Sequence, residues 1–350
     1  MNPRASIVIP CHDKASTLPM TVDTILRQSV QEFEVLLLGD GVTDAVRAVI
    51  EDLCRRDGRI RFLDFPKGPH HGEQYRHDAV MAARSDAIFY LCDDDLLLPE
   101  HLADLLTLLE DATLVQSLNG YIRPDGSFRT YAADLADPIS VEPILDERVR
   151  FNSISITGTA HRRSFYLEAG EHWETTPAGQ WPDHHQFRRM MRHPSYRGAT
   201  SHRMTALQLP TSSDGRDAWT EEQRRVELAR WHAVVVAPDG QDVVDELLFR
   251  GAMAELAEVR PRLMRLETHM ANLEAHIEML DGEAAHREAR LETLEATADR
   301  LRGKVRRLTR RRAELQAELD ALRGSRSWHA TAPLRAWGGL VRRRGGRPSG

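Results

Sequence analysis

The chain has 350 residues and a formal net charge of −6, from 47 Lys and Arg against 53 Asp and Glu. Its 41% hydrophobic and 29% charged residues exclude wholesale disorder and a protein with many membrane spans. The three cysteines, Cys11, Cys54 and Cys92, are too few for a disulfide framework and lack metal-site spacing. The sequence has no visible signal peptide and no apolar run of about 18 residues. We therefore expect a cytoplasmic protein in a reducing compartment.

Charge is unevenly distributed along the chain. Residues 300–350 contain fifteen Lys or Arg and three acidic residues, which gives a balance of +12. Residues 1–299 must then carry −18, because the whole chain carries −6. The sequence therefore divides into a larger acidic part and a strongly basic end.

Residues 5–115 alternate strand and helix patterns. Strands are predicted at Ser6–Pro10, Phe33–Leu38, Ile60–Phe65 and Ala87–Cys92, and helices at Leu18–Gln28, Asp44–Arg55, Gln74–Arg84 and Pro99–Leu109. This alternation predicts βαβ units and an α/β fold with a mainly parallel, doubly wound sheet and helices on both faces. Ligands bind such sheets at the carboxyl ends of the strands, where Asp40 and Asp93–Asp95 fall.

Residues 115–258 have a less regular pattern. Pro124-Asp125-Gly126 predicts a hairpin turn, Phe151–Ala160 a strand, and Gln186–Met191 the start of a helix. Residues 216–258 are helix-rich, and we expect them to complete the first domain.

A heptad repeat extends without a slip from Leu263 to Leu322. With Leu263 as position a, eight of the nine d positions are Leu, and the exception is Arg287. A strict 3.5-residue period over about 90 Å of helix predicts a left-handed coiled coil. We expect a homodimer. Leu at d weakly favours a parallel pair, but the e and g charges leave the orientation open. The alternative is an amphipathic helix packed on the globular domain.

The strongest chemical motif is the acidic stretch YLCDDDLLLP at Tyr90–Pro99. Three adjacent carboxylates at the end of a buried strand repel one another, and burial raises their pKa values. A divalent cation with hard oxygen ligands, Mg²⁺ or Mn²⁺, relieves both costs. The alternative is a solvated acidic turn that caps the next helix.

Three segments together resemble the family 2 glycosyltransferases of GT-A fold. They are SIVIPCHDKASTL, FEVLLLGDGVTD and GEQYRHDAVMAARSDAIFYLCDDDLLLP, and the likeness covers residues 5 to about 215. In that family the first strand ends in P-x-x-N, the second in V-D-D-G, and a D-x-D-D metal motif precedes a Pro. The resemblance implies transfer of a sugar from a nucleotide-diphosphate sugar to a hydroxyl acceptor, with inversion.

The resemblance assigns roles to individual residues. It implies that Asp40 binds the nucleobase of the donor, with Pro10 and His12 flanking the base. It further implies that Asp93 contacts the ribose, that Asp94 and Asp95 bind the metal, and that Arg76 favours the donor phosphates. Two positions depart from the family: Gly39 replaces the first Asp of V-D-D-G, and Cys92 replaces the first Asp of D-x-D. A thiol is a poor Mg²⁺ ligand, so the metal is expected to rest on Asp94.

A second stretch, QWPDHHQFRRMMR, resembles the family segment that carries the catalytic base. The resemblance implies that Asp183 removes the proton of the acceptor hydroxyl. Asp183 could instead be the N-cap of the helix that follows it. Trp173 and Trp181 are candidates for stacking on sugar rings, although packing is the preferred interpretation. His161 matches a family position near the donor phosphates, and a structural role is equally open.

The C-terminal stretch 325–350 holds six Arg and no acidic residue, interleaved with Trp328 and Trp337. This composition favours contact with an anionic membrane surface, and a disordered basic tail is the alternative. Its S-x-S-W-x-x-T-x-P-L-R pattern also resembles a C-terminal ending of bacterial polysaccharide-cluster glycosyltransferases. Nucleic-acid binding fits the charge alone and is disfavoured, because no base-reading element accompanies it.

We therefore predict four regions: a GT-A domain at 1–240, a helical linker at 241–258, a coiled coil at 259–323 and a basic tail at 324–350. The hypothesis is a metal-dependent glycosyltransferase of bacterial surface polysaccharide or glycoconjugate synthesis. It would use a saccharide or lipid-linked acceptor, and its tail would contact the inner membrane face. The first alternative is a catalytically weak nucleotide-binding scaffold, which Gly39 and Cys92 favour. The second is a nucleotidyltransferase, which the lack of a Gly-rich nucleotide loop disfavours.

Overall fold

A computed structural model describes residues 2–123, 128–130, 133–146, 148, 153–209 and 219–335. The chain divides into two compact units, Met1–Val259 and Arg260–Gly350. The predicted turn at 124–126 and the end of the predicted tail, from residue 336, lie outside the described residues.

Nine strands and ten helices are described. The strands are β1 Ala5–Cys11, β2 Phe33–Asp40, β3 Ile60–Phe65, β4 Ala87–Tyr90, β5 Leu96–Leu97, β6 Leu114–Ile122, β7 Phe128–Thr130, β8 Thr159–Arg162 and β9 Gly198–Gln208. The helices are α1 Leu18–Leu26, α2 Asp44–Arg56, α3 Tyr75–Ala82, α4 His101–Leu108, α5 Pro138–Leu145, α6 Arg163–Ala169, α7 Pro182–Met191, α8 Glu221–Val235, α9 Gly240–Gly324 and α10 Arg326–Ala330.

One sheet joins all nine strands, in the order β3-β2-β1-β4-β8-β6-β9-β5, with β7 paired to β6. The first four strands are parallel, as the alternation of strand and helix predicts. From β8 onward the sheet is mixed, because β8 runs antiparallel to both β4 and β6. The α/β fold class with helices on both faces is thus confirmed, but "mainly parallel" describes only the first half of the sheet.

The central strands are buried on both faces. Ile7 and Ile9 of β1 pack in one apolar cluster with α1, α2 and α4, whereas Val8 faces a second cluster with α3, α5, α6 and α7. This two-sided burial explains why β1 and β2 read as continuous apolar runs and not as alternating ones. Packing on both faces also holds the ends of these strands in place along one edge of the sheet.

A third cluster closes the first unit. Leu228 and Trp231 of α8 pack with Val244 near the start of α9 and with Leu96 of β5. Helix α8 begins in a capping box, in which the Thr220 hydroxyl accepts from the Gln223 backbone and the Gln223 side chain accepts from the Thr220 backbone. The first residues of the predicted linker at 241–258 therefore contribute to the core.

Two predicted boundaries are wrong. The strand expected at Phe151–Ala160 is formed only at Thr159–Arg162, and Ser153–Ser155 have no regular structure. Gln186–Met191, predicted as the start of a helix, form the C-terminal part of α7, which begins at Pro182. The helix that carries the heptads, α9, begins at Gly240, continues through Pro261 and ends at Gly324. The expected hairpin is supported by antiparallel pairing of Ile122 with Phe128.

Candidate functional site

The acidic motif lies at the edge of the sheet where the parallel strands end. Strand β1 ends at Cys11, β2 at Asp40 and β4 at Tyr90, and the chain continues from β4 directly into Asp93–Asp95. Because the three strands are parallel and adjacent, their last residues share one edge. The residues predicted to bind the donor therefore belong to one side of the domain.

Asp93 and Asp94 converge on the same cation. The Lys14 ammonium lies 2.9 Å from Oδ1 of Asp93 and 2.8 Å from Oδ2 of Asp94. The same Oδ2 of Asp94 accepts a hydrogen bond of 2.7 Å from Nη1 of Arg224, in α8. Both carboxylates are buried, and so is Arg224. Two buried carboxylates that share one positive group define a position at which positive charge is favoured.

Asp95 has a different environment. Its Oδ2 accepts a 2.6 Å hydrogen bond from the Thr157 hydroxyl, and its Oδ1 accepts a 3.1 Å bond from the backbone N–H of Leu209. Burial, and then the charge of Asp94, raise the pKa of Asp95 to about 7. These bonds hold the carboxyl against the residue two before the start of β8 and the residue that follows β9. This geometry favours a structural role over the predicted role of Asp95 as a metal ligand.

Asp40 is enclosed by the loop that follows β3. Its Oδ1 accepts from the backbone N–H of Gly68 at 2.6 Å, and its Oδ2 contacts the Lys67 ammonium. Gly72 has a φ of +60°, and a Cβ there would lie 2.4 Å from Cγ of Asp40. Only glycine permits this close approach of the loop, so Gly72 helps to fix the carboxylate.

The chain at the end of the first strand lies beside the end of the second, where His12 contacts Asp40. The Nδ1 atom of His12 lies 2.7 Å from the backbone oxygen of Asp40. Pro10 pairs in register with Leu38, two residues before Asp40, and is half-buried. The predicted group of Pro10, His12 and Asp40 is therefore brought together at the ends of β1 and β2.

The departure at Gly39 has a steric counterpart. A Cβ at this position would lie 2.8 Å from the Phe62 ring and 3.3 Å from a methyl group of Val42. The Phe62 ring thus occupies the space into which a side chain at position 39 would extend. An Asp could not be accommodated here unless the ring moved.

Arg76 of α3 is a buried cation that interacts electrostatically with Cys92, next to the acidic motif, and with Asp183. Its guanidinium stacks over the Trp173 ring at 4.6 Å, and its Nε and Nη1 atoms have no hydrogen-bond partner among the described residues. Burial lowers the pKa of Arg76, and the nearby Cys92, Asp183 and Glu73 oppose that shift. Its unpaired donors make Arg76 suited to an anionic group of a ligand.

Asp183 is the second residue of α7. Trp181 is the N-cap and makes no side-chain capping bond, so the alternative in which Asp183 is itself the N-cap is wrong. Its Oδ1 accepts from the N–H of His184 at 2.9 Å, and its Oδ2 from the N–H of Ile156 at 3.2 Å. Burial raises the pKa of Asp183, while these bonds and Arg76 act against the rise. The result is a partly exposed carboxylate of increased basicity.

The other candidate residues have structural contacts. Trp173 is buried, and its Nε1 donates to the Tyr90 hydroxyl at 2.9 Å, which confirms the preferred interpretation of packing. The same hydroxyl lies 2.9 Å from Nε2 of His161. Burial lowers the pKa of His161 to about 4, so this side chain is a neutral core histidine. Trp181 is exposed at the start of α7.

The residues at this edge fit a divalent cation in part. No group of three or more His, Cys, Asp or Glu side chains is arranged to hold a metal among the described residues. Asp93 and Asp94 supply hard oxygens around one positive charge, which is the donor set that Mg²⁺ and Mn²⁺ prefer when ligand phosphates complete the shell. Burial raises the pKa of the Cys92 thiol strongly, which disfavours the thiolate form that binds a metal.

Sequence reasoning missed the cations that hold the acidic motif. Lys14 could have been found, since it follows Pro10 at the edge where the first strand ends and is one of only three lysines. Arg224 is 130 residues from Asp94 in sequence and gives no local signal. Thr157, which binds Asp95, lies in a segment that was predicted to be a strand.

Residues 6–166 match the protein family described as Glycosyl transferase family 2. They include the ends of β1, β2 and β4, at which the acidic motif lies. The resemblance drawn from the three N-terminal segments is therefore confirmed for residues 6–166, which match the family 2 glycosyltransferases.

Three individual proteins illustrate the similarity. An uncharacterized glycosyltransferase, EpsJ of Bacillus subtilis (strain 168), is 26% identical over 152 residues, which cover 43% of this chain and 44% of EpsJ. Chondroitin synthase of Pasteurella multocida (strain Pm70) is 34% identical over 128 residues, or 36% of this chain and 13% of the synthase. The match thus spans less than half the length of either relative. A crystal structure of S. aureus TarS 1–349 has 13% identity and a TM-score of 0.47, over 73% of this chain and 72% of TarS.

Among the described residues, none of the helices combines the length and apolar character that crossing a bilayer requires.

Proposed function

We propose that the chain is an inverting glycosyltransferase that moves a sugar from a nucleotide-diphosphate sugar to a hydroxyl acceptor. The observation that carries this proposal is the convergence of Asp93 and Asp94 on one cation, at the strand ends of a family 2 domain. The guanidinium of Arg76 is incompletely hydrogen-bonded among the described residues. It interacts electrostatically with the Asp183 carboxylate, whose pKa is raised. A donor diphosphate and an acceptor hydroxyl are the two groups that such an arrangement serves.

The donor would lie along the edge from Asp40 to Asp94. Asp40, with His12 and Pro10, would bind the nucleobase, Asp93 would contact the ribose, and Arg76 would favour the phosphates. Mg²⁺ or Mn²⁺ would be held by Asp94 together with Asp93. When bound, such an ion supplies positive charge to the departing diphosphate. Lys14 and Arg224 support this arrangement, because their contacts orient the Asp94 carboxylate.

Asp183 would act on the acceptor. The acceptor oxygen forms a bond to the anomeric carbon, the bond from that carbon to the diphosphate oxygen breaks, and the hydroxyl proton passes to the Asp183 carboxylate. A raised pKa suits a general base near neutral pH, since it increases the affinity of the carboxylate for that proton. The backbone bonds from Ile156 and His184 would hold the carboxyl in place.

One observation favours the scaffold alternative. Lys14 and Arg224 already neutralise Asp94, so the acidic motif is electrostatically satisfied by the chain itself. Gly39 and Cys92 also remove two carboxylates that the family supplies. In this alternative the domain binds a nucleotide without transferring sugar. The nucleotidyltransferase alternative has no additional observation in its favour.

The wider role follows from the relatives and from the C-terminal end. One relative is named chondroitin synthase, a polymer-forming activity, which supports synthesis of a surface polysaccharide or glycoconjugate on a saccharide or lipid-linked acceptor. The basic end would bring the enzyme to the inner face of the membrane. The exposed heptad stripe of α9 would pair with a second copy of the chain.

The experiment is a donor screen with the full chain. Nucleotide-diphosphate sugars are incubated with Mn²⁺ or Mg²⁺ and an acceptor mixture, and released nucleoside diphosphate is measured. We expect turnover of one donor class by the native chain and by Asp64→Asn, a change at an exposed carboxylate on β3 that pairs with Arg47. We expect Asp94→Ala to be inactive. Binding of nucleotide without turnover of any donor would support the scaffold alternative instead.

A further inference from the structure

The heptad stripe of α9 is exposed along its whole length. Its large apolar a and d side chains, from Leu263 to Leu322, are between 38% and 69% exposed. Fourteen such side chains on one face of a helix are unfavourable in water, and a narrow stripe of this period is buried by a second helix. The sequence of the stripe itself indicates which partner and which orientation would cover it.

The charges of this helix form two blocks of opposite sign. Residues 273–285 contain four acidic residues and no Lys or Arg, whereas residues 300–312 contain eight Lys or Arg and no acidic residue. Two parallel copies in register would place the eight cations of one chain beside the eight of the other. Such charges lie within about one Debye length, 8–10 Å, and repel. Two antiparallel copies would instead place each basic block beside an acidic block.

The core layers point to the same orientation. In a parallel pair in register, each a or d residue meets its own copy, so Arg287 would face Arg287 and Arg312 would face Arg312. Two of the a and d layers between the helices would then bring like charges together. Ala284 and Ala298 would each meet a second alanine, and the helix interface would be loosely packed there.

An antiparallel pair removes all four conflicts with a single register. Residue i then faces residue 585 − i of the second copy, so that Leu263 meets Leu322 and every a position meets a d position. Arg312 faces Leu273, Arg287 faces Ala298, and Ala284 faces Leu301. Each arginine stem therefore packs on an apolar partner while its charged end reaches water, and each alanine meets a larger residue.

The flanking charges follow the same pattern. In this register Asp281 comes beside Arg302, and Glu283 beside Lys304, on both halves of the pair. One like-charged pair, Glu288 with Glu295, remains near the centre. The opposite pairs outnumber it, and they join the two blocks.

From these complementarities we propose that α9 forms an antiparallel homodimer with full overlap of residues 263–322. This inference rests on the homodimer proposed above and adds its orientation and register. It is independent of sugar transfer, because it uses only residues of the second unit. The partner is a second copy of this chain, since the acidic block of each copy matches the basic block of the other.

The test is disulfide cross-linking of full-length chains. Leu266→Cys and Leu319→Cys are prepared separately, oxidised alone and as a mixture, and the cross-linked peptides are identified by mass spectrometry. We expect a cross-link between positions 266 and 319 in the mixture. When each variant is oxidised alone, we expect no cross-link between the new cysteines of its two copies. Ala275→Cys, on the opposite face of the helix, is the matched control and should not cross-link. Self-cross-linking of Leu266→Cys would overturn the antiparallel orientation.

Sedimentation at increasing salt concentration separates the remaining outcomes. An antiparallel pair joined by opposite charges should dissociate more readily as salt rises, whereas a parallel pair of like charges should tighten. A chain that stays monomeric at micromolar concentration would overturn both the homodimer and its orientation. That result would leave the donor screen unaffected. Failure of the proposed dimer can therefore be distinguished from failure of the proposed sugar transfer.

Discussion

In the first unit, Asp94 contacts two cations, and one of them, Arg224, is 130 residues away in sequence. In the second unit, ion pairs join side chains three or four residues apart on one exposed helix, as Arg310 does with Glu314. The Asp94 charge in the first unit is therefore fixed by tertiary contacts, whereas the Arg310–Glu314 pair is local to one helix. The comparison teaches that ion pairs of similar length can have very different consequences, because the pairs at Asp94 are buried whereas those along the helix are exposed.

The largest effect should come from the base. Asp183→Asn keeps the shape of the side chain but removes the proton acceptor, so kcat should fall about 10³-fold with a small change in KM. Steady-state kinetics on the donor found in the screen measure this, with Asp64→Asn as the control. A variant that retains native kcat would remove Asp183 from the mechanism.

Arg224 tests the domain side of the comparison. Arg224→Gln leaves Asp94 with one cation fewer in a buried position, so the free energy of unfolding should fall by about 3 kcal/mol. Arg225→Gln next to it, and Arg310→Gln in α9, break exposed pairs and should lower the free energy of unfolding far less than Arg224→Gln does.

The measurement is denaturant unfolding of each variant with and without millimolar MnCl₂. If the divalent ion occupies the position that Asp93 and Asp94 define, Mn²⁺ should stabilise Arg224→Gln more than the native chain. Equal losses for all three arginine variants would contradict the difference between the two regions.

The next effect concerns the missing carboxylate at position 39. Gly39→Asp should lower the free energy of unfolding by about 2 kcal/mol, because the new Cβ meets the Phe62 ring. Gly39→Asp should cost less stability in a Phe62→Ala chain than in the native chain, because the ring is then absent. Thermal unfolding measures this, with the Phe62→Ala variant alone as the reference for the double variant. A Gly39→Asp chain of native stability would mean that the ring yields freely.

The smallest effect is a shift in pH dependence. Arg76 lowers the pKa of Asp183 against the effect of burial, so Arg76→Gln should raise that pKa. Since the active form of the base is deprotonated, the acid limb of kcat/KM should move to higher pH. An acid limb that stays in place or moves to lower pH would show that Arg76 does not act on Asp183.

The sequence predicts local elements of the molecule better than it predicts contacts between distant segments. Strand Ile60–Phe65 and helix Asp44–Arg56 were found to within one residue, because apolar periodicity marks them locally. The helix through 263–322 follows from its heptads. The mixed second half of the sheet was not found, since β6 and β9 pair across about 80 residues and their pattern alone does not reveal the partner.

The site shows the same limit at the level of single residues. The positions of Asp40, Asp93 and Asp94 at strand ends could be predicted, because each follows directly from an apolar run. The inward direction of Asp95 could not, since it depends on Thr157 and Leu209, which are distant in sequence and lie just outside β8 and β9. Likewise, the Phe62 ring that fills the space beside Gly39 comes from a neighbouring strand.

The central claim is that Asp93 and Asp94 hold a nucleotide diphosphate through a divalent cation. Calorimetric titration of the full chain with uridine and guanosine diphosphates, with and without Mn²⁺, tests it most directly. We predict that one nucleotide binds to the native chain and to Arg225→Gln only when Mn²⁺ is present, and that Asp94→Ala loses this binding. Binding that is the same with and without Mn²⁺, or that is unchanged in Asp94→Ala, would contradict the account.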